Sequence, residues 1–181
     1  MYLAAFDVFR ADAQEYGRSP QRLCATPGSE GLYPLEAVAP ANLSPHDTAT
    51  WIYHANVAAI RRADIVTANV ADFRGVGEPD TGTAFEIGFA AALGKPIWAY
   101  RDDLSPLRKR VPCIATALRN VCERGYLVEH FGLPVNLMLA CAAQIVESGP
   151  FACLHAIADA QRKGMPPLPI DGLANCRFAR C

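Results

Sequence analysis

The chain has 181 residues, of which 51% are hydrophobic and 19% are charged, and a chain of this length can bury roughly 70% of its unfolded surface in one compact domain. Its 17 Lys and Arg residues nearly balance its 18 Asp and Glu residues, so no charge excess indicates a nucleic acid or an acidic membrane as partner. This charge balance fits a small neutral ligand better than a nucleic acid or an acidic membrane.

The N-terminal segment and the cysteines indicate the compartment and exclude some kinds of site. The first residues lack the basic region of a secretion signal, and the longest apolar run, near 85–93, is too short to span a bilayer. The seven cysteines are an odd number and include no Cys-x-x-Cys pair, which argues against a disulfide framework and a zinc ribbon. We therefore expect a cytoplasmic protein with reduced, mostly buried thiols and with neither a metal nor a cofactor.

Strand-like and helical patterns alternate along the chain. Three runs are continuously apolar, as parallel strands covered on both faces require: 2–6, 64–70 and 96–100. Residues 141–148 predict a further strand, and residues 32–37 predict a short strand or extended stretch broken by Pro34. The segments that predict helices are 11–24, 44–63, 83 to about 93, and 151–162.

This alternation predicts one α/β domain over residues 1–162, with a doubly wound sheet of about five parallel strands flanked by helices. Residues 101–124 are rich in charge and proline and predict a partly helical surface excursion with a mobile loop. The tail, 163–181, is punctuated by proline and is predicted to be irregular. In such a fold a ligand binds in the crevice beyond the carboxyl ends of the strands.

The helix predicted over 44–63 carries a polar residue on its apolar face. Ser44 suits the N-cap and Pro45 suits the first helical position. Asn56 lies one turn after Ile52, on the face that also takes Ile60. The pattern therefore turns the Asn56 amide inward.

A single acid, Glu86, lies in the otherwise apolar stretch from Ala84 to Leu93. The four residues from Thr83 to Glu86 match a capping box, in which the acid binds the backbone in the first turn of the helix. The apolar neighbours predict instead a helix buried on both sides, where an unpaired charge costs on the order of several kcal/mol. A carboxylate facing a cavity would explain this position, so both interpretations stand.

Asp80 supplies a second carboxyl group on the glycine-rich approach to the same helix. Paired carboxyl groups in different environments suit glycosidic chemistry, because one attacks or stabilises the anomeric carbon while the other protonates the leaving group. A loop or capping role is an equal alternative for Asp80.

The chain resembles the nucleoside 2-deoxyribosyltransferase family over about residues 2–162, and the resemblance rests on four segments: FRGVGEPDTGTAFEIGFAAALGKP, YLAAFDVF, NVAAIRRADIVTANV and FGLPVNLML. It implies a flavodoxin-like fold and exchange of the base of a 2'-deoxynucleoside through a covalent glycosyl-glutamate. By this resemblance Glu86 is the nucleophile, Asp80 helps to protonate or orient the base, and Tyr2 holds the nucleophile through its hydroxyl.

The resemblance also implies a set of substrate-binding residues: Asn56, Phe6, Asp7, Asn69, Gly82, Asn136 and Met138. Asn136 and Met138 match a segment that reaches the active site of a neighbouring subunit, which implies a homo-oligomer. Phe6 and Asp7 depart from the family's usual residues after the first strand, and we expect them, with the 101–130 segment, to determine base choice. Asn69 stands where some relatives have an acid.

Two other functions remain open beside base exchange. Related enzymes use the same glutamate with water as acceptor, which would make the protein an N-glycosidase acting on nucleosides or nucleoside 5'-monophosphates. The third function is that of a non-catalytic nucleotide or nucleobase sensor. The segment with Asn136 favours exchange, and the joint presence of Glu86, Asp80 and Tyr2 argues against the sensor. The expected partners are therefore small deoxynucleosides and free nucleobases.

Overall fold

The computed structural model describes residues 1–25, 29–115 and 120–164, so most of the predicted tail lies outside the described residues. The elements in chain order are β1 (Tyr2–Ala4), a 3₁₀ helix (Phe6–Phe9), α1 (Ala13–Ala25), α2 (Pro45–Arg62), β2 (Val66–Asn69), α3 (Thr81–Ala92), β3 (Ile97–Arg101), α4 (Leu107–Arg110), β4 (Cys113–Ala115), β5 (Asn120–Cys122), α5 (Leu137–Ala140), β6 (Gln144–Glu147) and α6 (Pro150–Arg162). Within the described ranges, no helix is both long and apolar enough to cross a membrane.

Four parallel strands form the central sheet in the order β1-β2-β3-β6. The register pairs Ala4 with Ala68 and Ala68 with Ala99. Side chains of α2, α3 and α5 cover one face of the sheet, and side chains of α1 and α6 cover the other. This double cover explains why the strands are continuously apolar, and it confirms a single α/β domain with a parallel sheet flanked by helices.

Within the described residues, the sheet has four strands instead of the predicted count of about five. The stretch over 32–37 pairs with β1 only through Leu32, whose N–H donates to Met1 O and whose carbonyl accepts from Leu3 N. Pro34 has no N–H with which to extend a ladder. The chain then turns, with Glu36 N donating to Tyr33 O at 3.0 Å, so the predicted strand ends after one bridge.

Residues 101–124 are more regular than the sequence predicted. The helical part is confirmed by α4, while β4 and β5 form a separate antiparallel pair that the sequence analysis missed. Strands of three residues are too short to show an alternating pattern. The predicted mobile loop falls partly on residues 116–119, which lie outside the described part of the chain.

Helix α2 begins as its sequence predicts. The Ser44 hydroxyl oxygen accepts a hydrogen bond from Asp47 N at 3.1 Å, and Pro45 occupies the first turn. Ile60 and Ala63 are buried against the sheet, but Ile52 is 42% exposed. The predicted apolar face therefore packs only at the C-terminal half of the helix, and Asn56 lies half-buried where the packing ends.

Candidate active site

Helix α3 begins two residues earlier than predicted, at Thr81, with Asp80 as its N-cap. Asp80 Oδ2 accepts hydrogen bonds from Thr83 N at 2.8 Å and from Thr83 Oγ1 at 3.1 Å. Thr83 therefore does not cap the helix, and the capping box predicted from Thr83 to Glu86 does not form. Asp80 therefore has the capping role that the sequence offered as one of its two alternatives.

Glu86 is the sixth residue of α3 and lies over β1, beyond the first helical turn. Its Oε1 accepts a hydrogen bond from the hydroxyl of Tyr2, 84 positions away along the chain, at 2.5 Å. Tyr2 is fully buried in the core of the sheet face that carries α3. The carboxyl group is thus held by a distant side chain and makes no return contact with its own helix start.

The second carboxylate oxygen of Glu86, Oε2, makes no hydrogen bond with the described residues. Burial raises the pKa of Glu86 to about 7, with the negative charge of Asp80 adding to the rise and the Tyr2 hydrogen bond opposing it. Burial, together with the nearby charge of Glu86, also raises the pKa of Tyr2 well above its usual range. Tyr2 therefore keeps its proton and donates it to the hydrogen bond. The Glu86 carboxyl group is ionised in about half of the molecules near neutral pH, and its Oε2 has no hydrogen-bond partner among the described residues.

Gly82 controls the space beside the capping carboxylate. Asp80 is 8% exposed, and a Cβ at Gly82 would lie 3.0 Å from Asp80 Oδ2. That distance is tighter than an ordinary contact between a methyl group and a carboxylate oxygen, so a side chain here would require the Asp80 carboxyl group to shift by a few tenths of an ångström. Gly82 thus leaves room for the Asp80 carboxyl group to cap α3. From this position the negative charge of Asp80 contributes to the raised pKa of Glu86.

Asp7 and Asn69 form a buried pair at the carboxyl ends of β1 and β2. Asn69 Nδ2 donates to Asp7 Oδ2 at 3.2 Å, and Asn69 Oδ1 accepts from Ala71 N at 3.1 Å. Burial raises the pKa of Asp7. Asp7 also lines a small cavity on the α1 and α6 side of the sheet, with Tyr33 and Tyr100 among its walls, so this pair lies on the opposite face from Glu86.

An aromatic cluster, which the sequence analysis recognised only at Phe6, lies at the same edge of the sheet. The Phe6 and Phe9 rings stack on Phe73 with centroid distances of 5.0 and 5.4 Å. The Arg74 guanidinium lies 4.6 Å from the Phe73 centroid, a cation–π contact. Phe9 is 60% exposed, so this part of the cluster is open to solvent. Phe6 and Phe9 lie on the 3₁₀ helix and Phe73 lies in the loop after β2, so no local pattern links all three.

The loop from β2 to α3 is anchored by a charge cluster that the sequence did not reveal. The Asp72 carboxylate forms ion pairs with Arg101 at 3.3 Å and with Arg110 at 2.9 Å. Arg101 also donates to Val70 O at 3.1 Å, and Arg110 donates to Pro134 O. Because both arginine side chains are largely buried, these contacts hold the loop that leads to Asp80 against the segment that leads to Asn136.

Asn136 is the N-cap of α5, and its amide is used within its own chain. Asn136 Oδ1 accepts from Met138 N at 3.0 Å, and Nδ2 donates to Glu129. Glu129 Oε2 also accepts from Leu137 N at 2.9 Å, a positioning role that sequence reasoning missed. Met138 is 71% exposed. The Met138 side chain is thus largely free of contacts with the described residues of its own chain.

The outer side of α3 is less buried than its sequence predicted. Phe85 is 48% exposed, and Gly82 and Gly88 are also exposed. Phe85 lies 5.9 Å from the ring of Tyr53 on α2. We call the exposed residues Ile52, Tyr53 and Phe85 the α2–α3 surface. The prediction that α3 is buried on both sides is therefore wrong for the described residues, because none of them covers this surface.

Comparisons with known proteins identify the family that the chain resembles. A family model described as nucleoside 2-deoxyribosyltransferase matches residues 1–138. The fold is similar to that of a 2-desoxiribosyltransferase from Leishmania mexicana, with 31% identity over 87% of this chain and 95% of that one and a TM-score of 0.69.

It is also similar in fold to a 2-deoxyribosyltransferase from Bacillus psychrosaccharolyticus, with 18% identity over 93% of this chain and 96% of that one and a TM-score of 0.56. The search of curated proteins found no significant match. The model match spans well over half of the sequence, and it contains Tyr2, Asp80 and Glu86. The chain therefore belongs to the nucleoside 2-deoxyribosyltransferase family.

Proposed function

We propose that the protein exchanges the base of 2'-deoxyribonucleosides, with Glu86 as the nucleophile. The observation that carries this proposal is the contact between Tyr2 and Glu86 at 2.5 Å, which leaves one carboxylate oxygen free on a largely desolvated acid. About half of these carboxyl groups are ionised at neutral pH, and the ionised group has little water to shed before it attacks.

The exchange consists of two displacements at C1'. Oε2 of Glu86 forms a bond to C1' while the C1'–N bond breaks, and the departing base keeps the bonding electrons and takes up a proton. A ring nitrogen of the incoming base then attacks C1', the ester C1'–O bond breaks, the Glu86 carboxylate is released and the new base loses a proton. Each step inverts C1', so the product retains the starting configuration. No cofactor is needed, because the sugar passes from one nitrogen to oxygen and on to another nitrogen.

Tyr2 and Asp80 have different parts in this mechanism. The Tyr2 hydroxyl fixes one oxygen of Glu86 and so aims the other. Asp80 uses Oδ2 for the helix cap and has Oδ1 left to contact the base that departs or arrives. The lack of an electron-withdrawing 2'-hydroxyl makes the oxocarbenium-like transition state easier to reach in a deoxyribosyl group.

The remaining substrate contacts are proposed from the positions of the side chains. The Asn56 amide makes no hydrogen bond to the described residues, and it lies on α2, which packs beside α3. The cluster of Phe6, Phe9 and Phe73 offers a surface on which a base can stack. Asp7 and Asn69 bind each other at the carboxyl ends of β1 and β2, on the opposite face of the sheet from Glu86, so we propose that they affect base binding by fixing the ends of these strands.

One incubation tests base exchange against the two other functions. The purified protein is incubated with a deoxynucleoside, with and without a second free base, and the products are separated by chromatography. Exchange yields a new nucleoside only when the second base is present. Release of free base without a new nucleoside identifies an N-glycosidase. The absence of both products leaves the sensor as the remaining function. Glu86→Ala is expected to abolish exchange, and a variant with near-normal exchange would exclude Glu86 as nucleophile.

A covalent intermediate gives independent support. The wild-type protein is mixed with a deoxynucleoside in the absence of an acceptor base and digested at once. Mass spectrometry is expected to find a deoxyribosyl group on the peptide that contains Glu86. Glu86→Gln provides the control, because its amide has the same size but does not attack C1'.

We also propose that a second copy of the chain completes the site with Asn136 and Met138. The exposed α2–α3 surface lies beside the candidate site, and Met138 projects outward. Apolar side chains grouped on a surface in this way are typical of a protein interface. A homo-oligomer is therefore expected.

Subunit mixing tests this arrangement. Glu86→Ala and Met138→Ala are each expected to have low activity. In a mixed dimer one site combines the intact Glu86 of one copy with the intact Met138 of the other, so an equal mixture regains about a quarter of the wild-type sites. If both variants are impaired and the mixture shows no gain after subunit exchange, the shared site is excluded.

A further inference from the structure

The β4–β5 hairpin places two cysteines directly opposite each other. The antiparallel register pairs Cys113 with Cys122 and Ile114 with Val121. Side chains of residues that face each other across two strands project from the same side of the sheet. The two thiols are therefore neighbours, although the sequence analysis predicted reduced and mostly buried cysteines without a pairing pattern.

The hydrogen bonds of β5 define the kind of pair that these cysteines form. Cys122 N donates to Tyr126 O at 2.9 Å, and Asn120 O accepts from Val128 N at 2.9 Å. Because the backbone groups of alternate residues point to opposite sides of a strand, Cys122 directs its N–H and C=O away from β4. Cys113 and Cys122 thus form a non-hydrogen-bonded pair, for which the Cα atoms are typically about 4.5 Å apart. Disulfides typically span Cα distances of about 4.4 to 6.8 Å.

Accessibility separates this pair from the cysteines of the core. Cys113 and Cys122 are both partly exposed, whereas Cys24 and Cys153 are fully buried. Burial raises the pKa of Cys153 to about 12, so this thiol stays protonated. Within the described residues, no group of three His, Cys, Asp or Glu side chains could hold a metal ion. The exposed pair therefore has access to solvent oxidants and has no third ligand with which to form a metal site.

We propose that Cys113 and Cys122 form a reversible intramolecular disulfide when the protein meets a low-molecular-weight disulfide such as oxidised glutathione. The thiolate of one cysteine attacks the glutathione disulfide, which gives a protein–glutathione mixed disulfide and releases one reduced glutathione. The second thiolate attacks the protein sulfur of that mixed disulfide and releases the second glutathione. Two protein thiols are oxidised, one glutathione disulfide is reduced to two thiols, and the protons of the two protein thiols pass to the glutathione thiolates.

The position of the hairpin connects this pair to both sides of the candidate site. Arg124, which follows β5, forms an ion pair with Glu78 at 3.6 Å, and Glu78 lies in the loop that leads to Asp80. On the other side, the chain continues from the hairpin to Glu129, which binds Leu137 N. A covalent link between β4 and β5 therefore stiffens a segment that lies between these two loops.

Mass spectrometry tests the proposal directly. The folded protein is incubated with oxidised glutathione, its free thiols are blocked with N-ethylmaleimide, and it is digested with trypsin without reduction. Cleavage after Arg110, Arg119 and Arg124 places the two cysteines on separate peptides, 111–119 and 120–124. We expect these two peptides to appear linked as the main oxidation product, and to separate when a reducing agent is added.

Variants define the controls. Cys141→Ser removes another exposed thiol and is expected to leave the linked product unchanged. Cys113→Ser is expected to abolish it and to leave Cys122 carrying glutathione. The proposal is overturned if the wild-type protein carries glutathione on both cysteines without the linked product. It is equally overturned if Cys122 is linked to another cysteine, or if the 113–122 link appears only in concentrated urea.

Discussion

Removal of the Tyr2 hydroxyl tests how far its hydrogen bond lowers the pKa of Glu86. In Tyr2→Phe the carboxylate loses its hydrogen-bond partner at 2.5 Å, while the ring still fills the core. A hydrogen bond to a charged group contributes about 1.5 to 3 kcal/mol, which corresponds to about one to two pH units in the pKa of its acceptor. The pKa of Glu86, about 7 in the wild type, is therefore expected to rise in the variant.

The predicted effect on rate follows from the ionised fraction of Glu86. At pH 7 about half of the wild-type carboxylate is ionised, and a rise of one to two pH units reduces this fraction to between about one tenth and one hundredth. Exchange is then expected to fall about 5- to 50-fold at pH 7 and to recover most of this loss at higher pH. Any loss that persists at high pH measures how much the hydroxyl aims the carboxylate.

The assay is the initial rate of base exchange, expressed as kcat/KM, over a range from about pH 5 to pH 10. Tyr126→Phe is the matched control, since Tyr126 is 71% exposed, and its acidic limb is expected to coincide with that of the wild type. An acidic limb at the same pH in Tyr2→Phe and in the wild type would refute the reasoning, because the hydroxyl would then have no part in the ionisation of Glu86.

Three further predictions follow from the carboxyl groups and their neighbours. Asp80→Asn keeps a good N-cap, so the variant is expected to fold normally while kcat falls by about 10² to 10⁴ in steady-state exchange assays; an unchanged kcat would remove Asp80 from the chemistry. A carboxyl group whose pKa rises from 4.5 to about 7 on folding loses its contribution to stability as the pH rises through that interval. Glu86→Gln is therefore expected to be more stable than the wild type above pH 7, by up to about 3 kcal/mol in urea unfolding, with no gain below about pH 4.5; a gain independent of pH would contradict this linkage. Gly82→Ala is expected to displace Asp80 and lower kcat. Gly149→Ala is the control: it lies at the start of α6, where an added methyl group meets open space, and it is expected to leave kcat unchanged. Equal kcat values in the two variants would show that Asp80 tolerates the displacement.

Much of the fold could be predicted because its signals are local. Continuous apolar runs indicated the core strands, since a strand covered by helices on both faces has no polar side. Ser44 and Pro45 indicated the start of α2, because capping depends on side chains within one turn. A lone acid in an apolar helix also indicated Glu86 as a functional residue, since burial of a charge needs a compensating contact.

The start of α3 shows where local signals end. Asp80 and Thr83 are both good N-caps, and their intrinsic preferences differ by less than the energy of packing. The structure buries both side chains and lets one oxygen of Asp80 accept from two groups of Thr83. The choice of cap, and with it the freedom of Glu86 from the helix start, was therefore decided by tertiary contacts.

The amino-acid sequence by itself determined the apolar strands, most of the helices and the residue that carries the proposed chemistry, because these depend on side chains within a few positions of one another. The family resemblance already implied the contact between Tyr2 and Glu86. Only the tertiary structure decided that Arg101 and Arg110 share Asp72 and that Cys113 faces Cys122. Contacts of this kind join residues that are distant in the chain, and their geometry follows from how the whole sheet packs and from the strand register rather than from any local pattern.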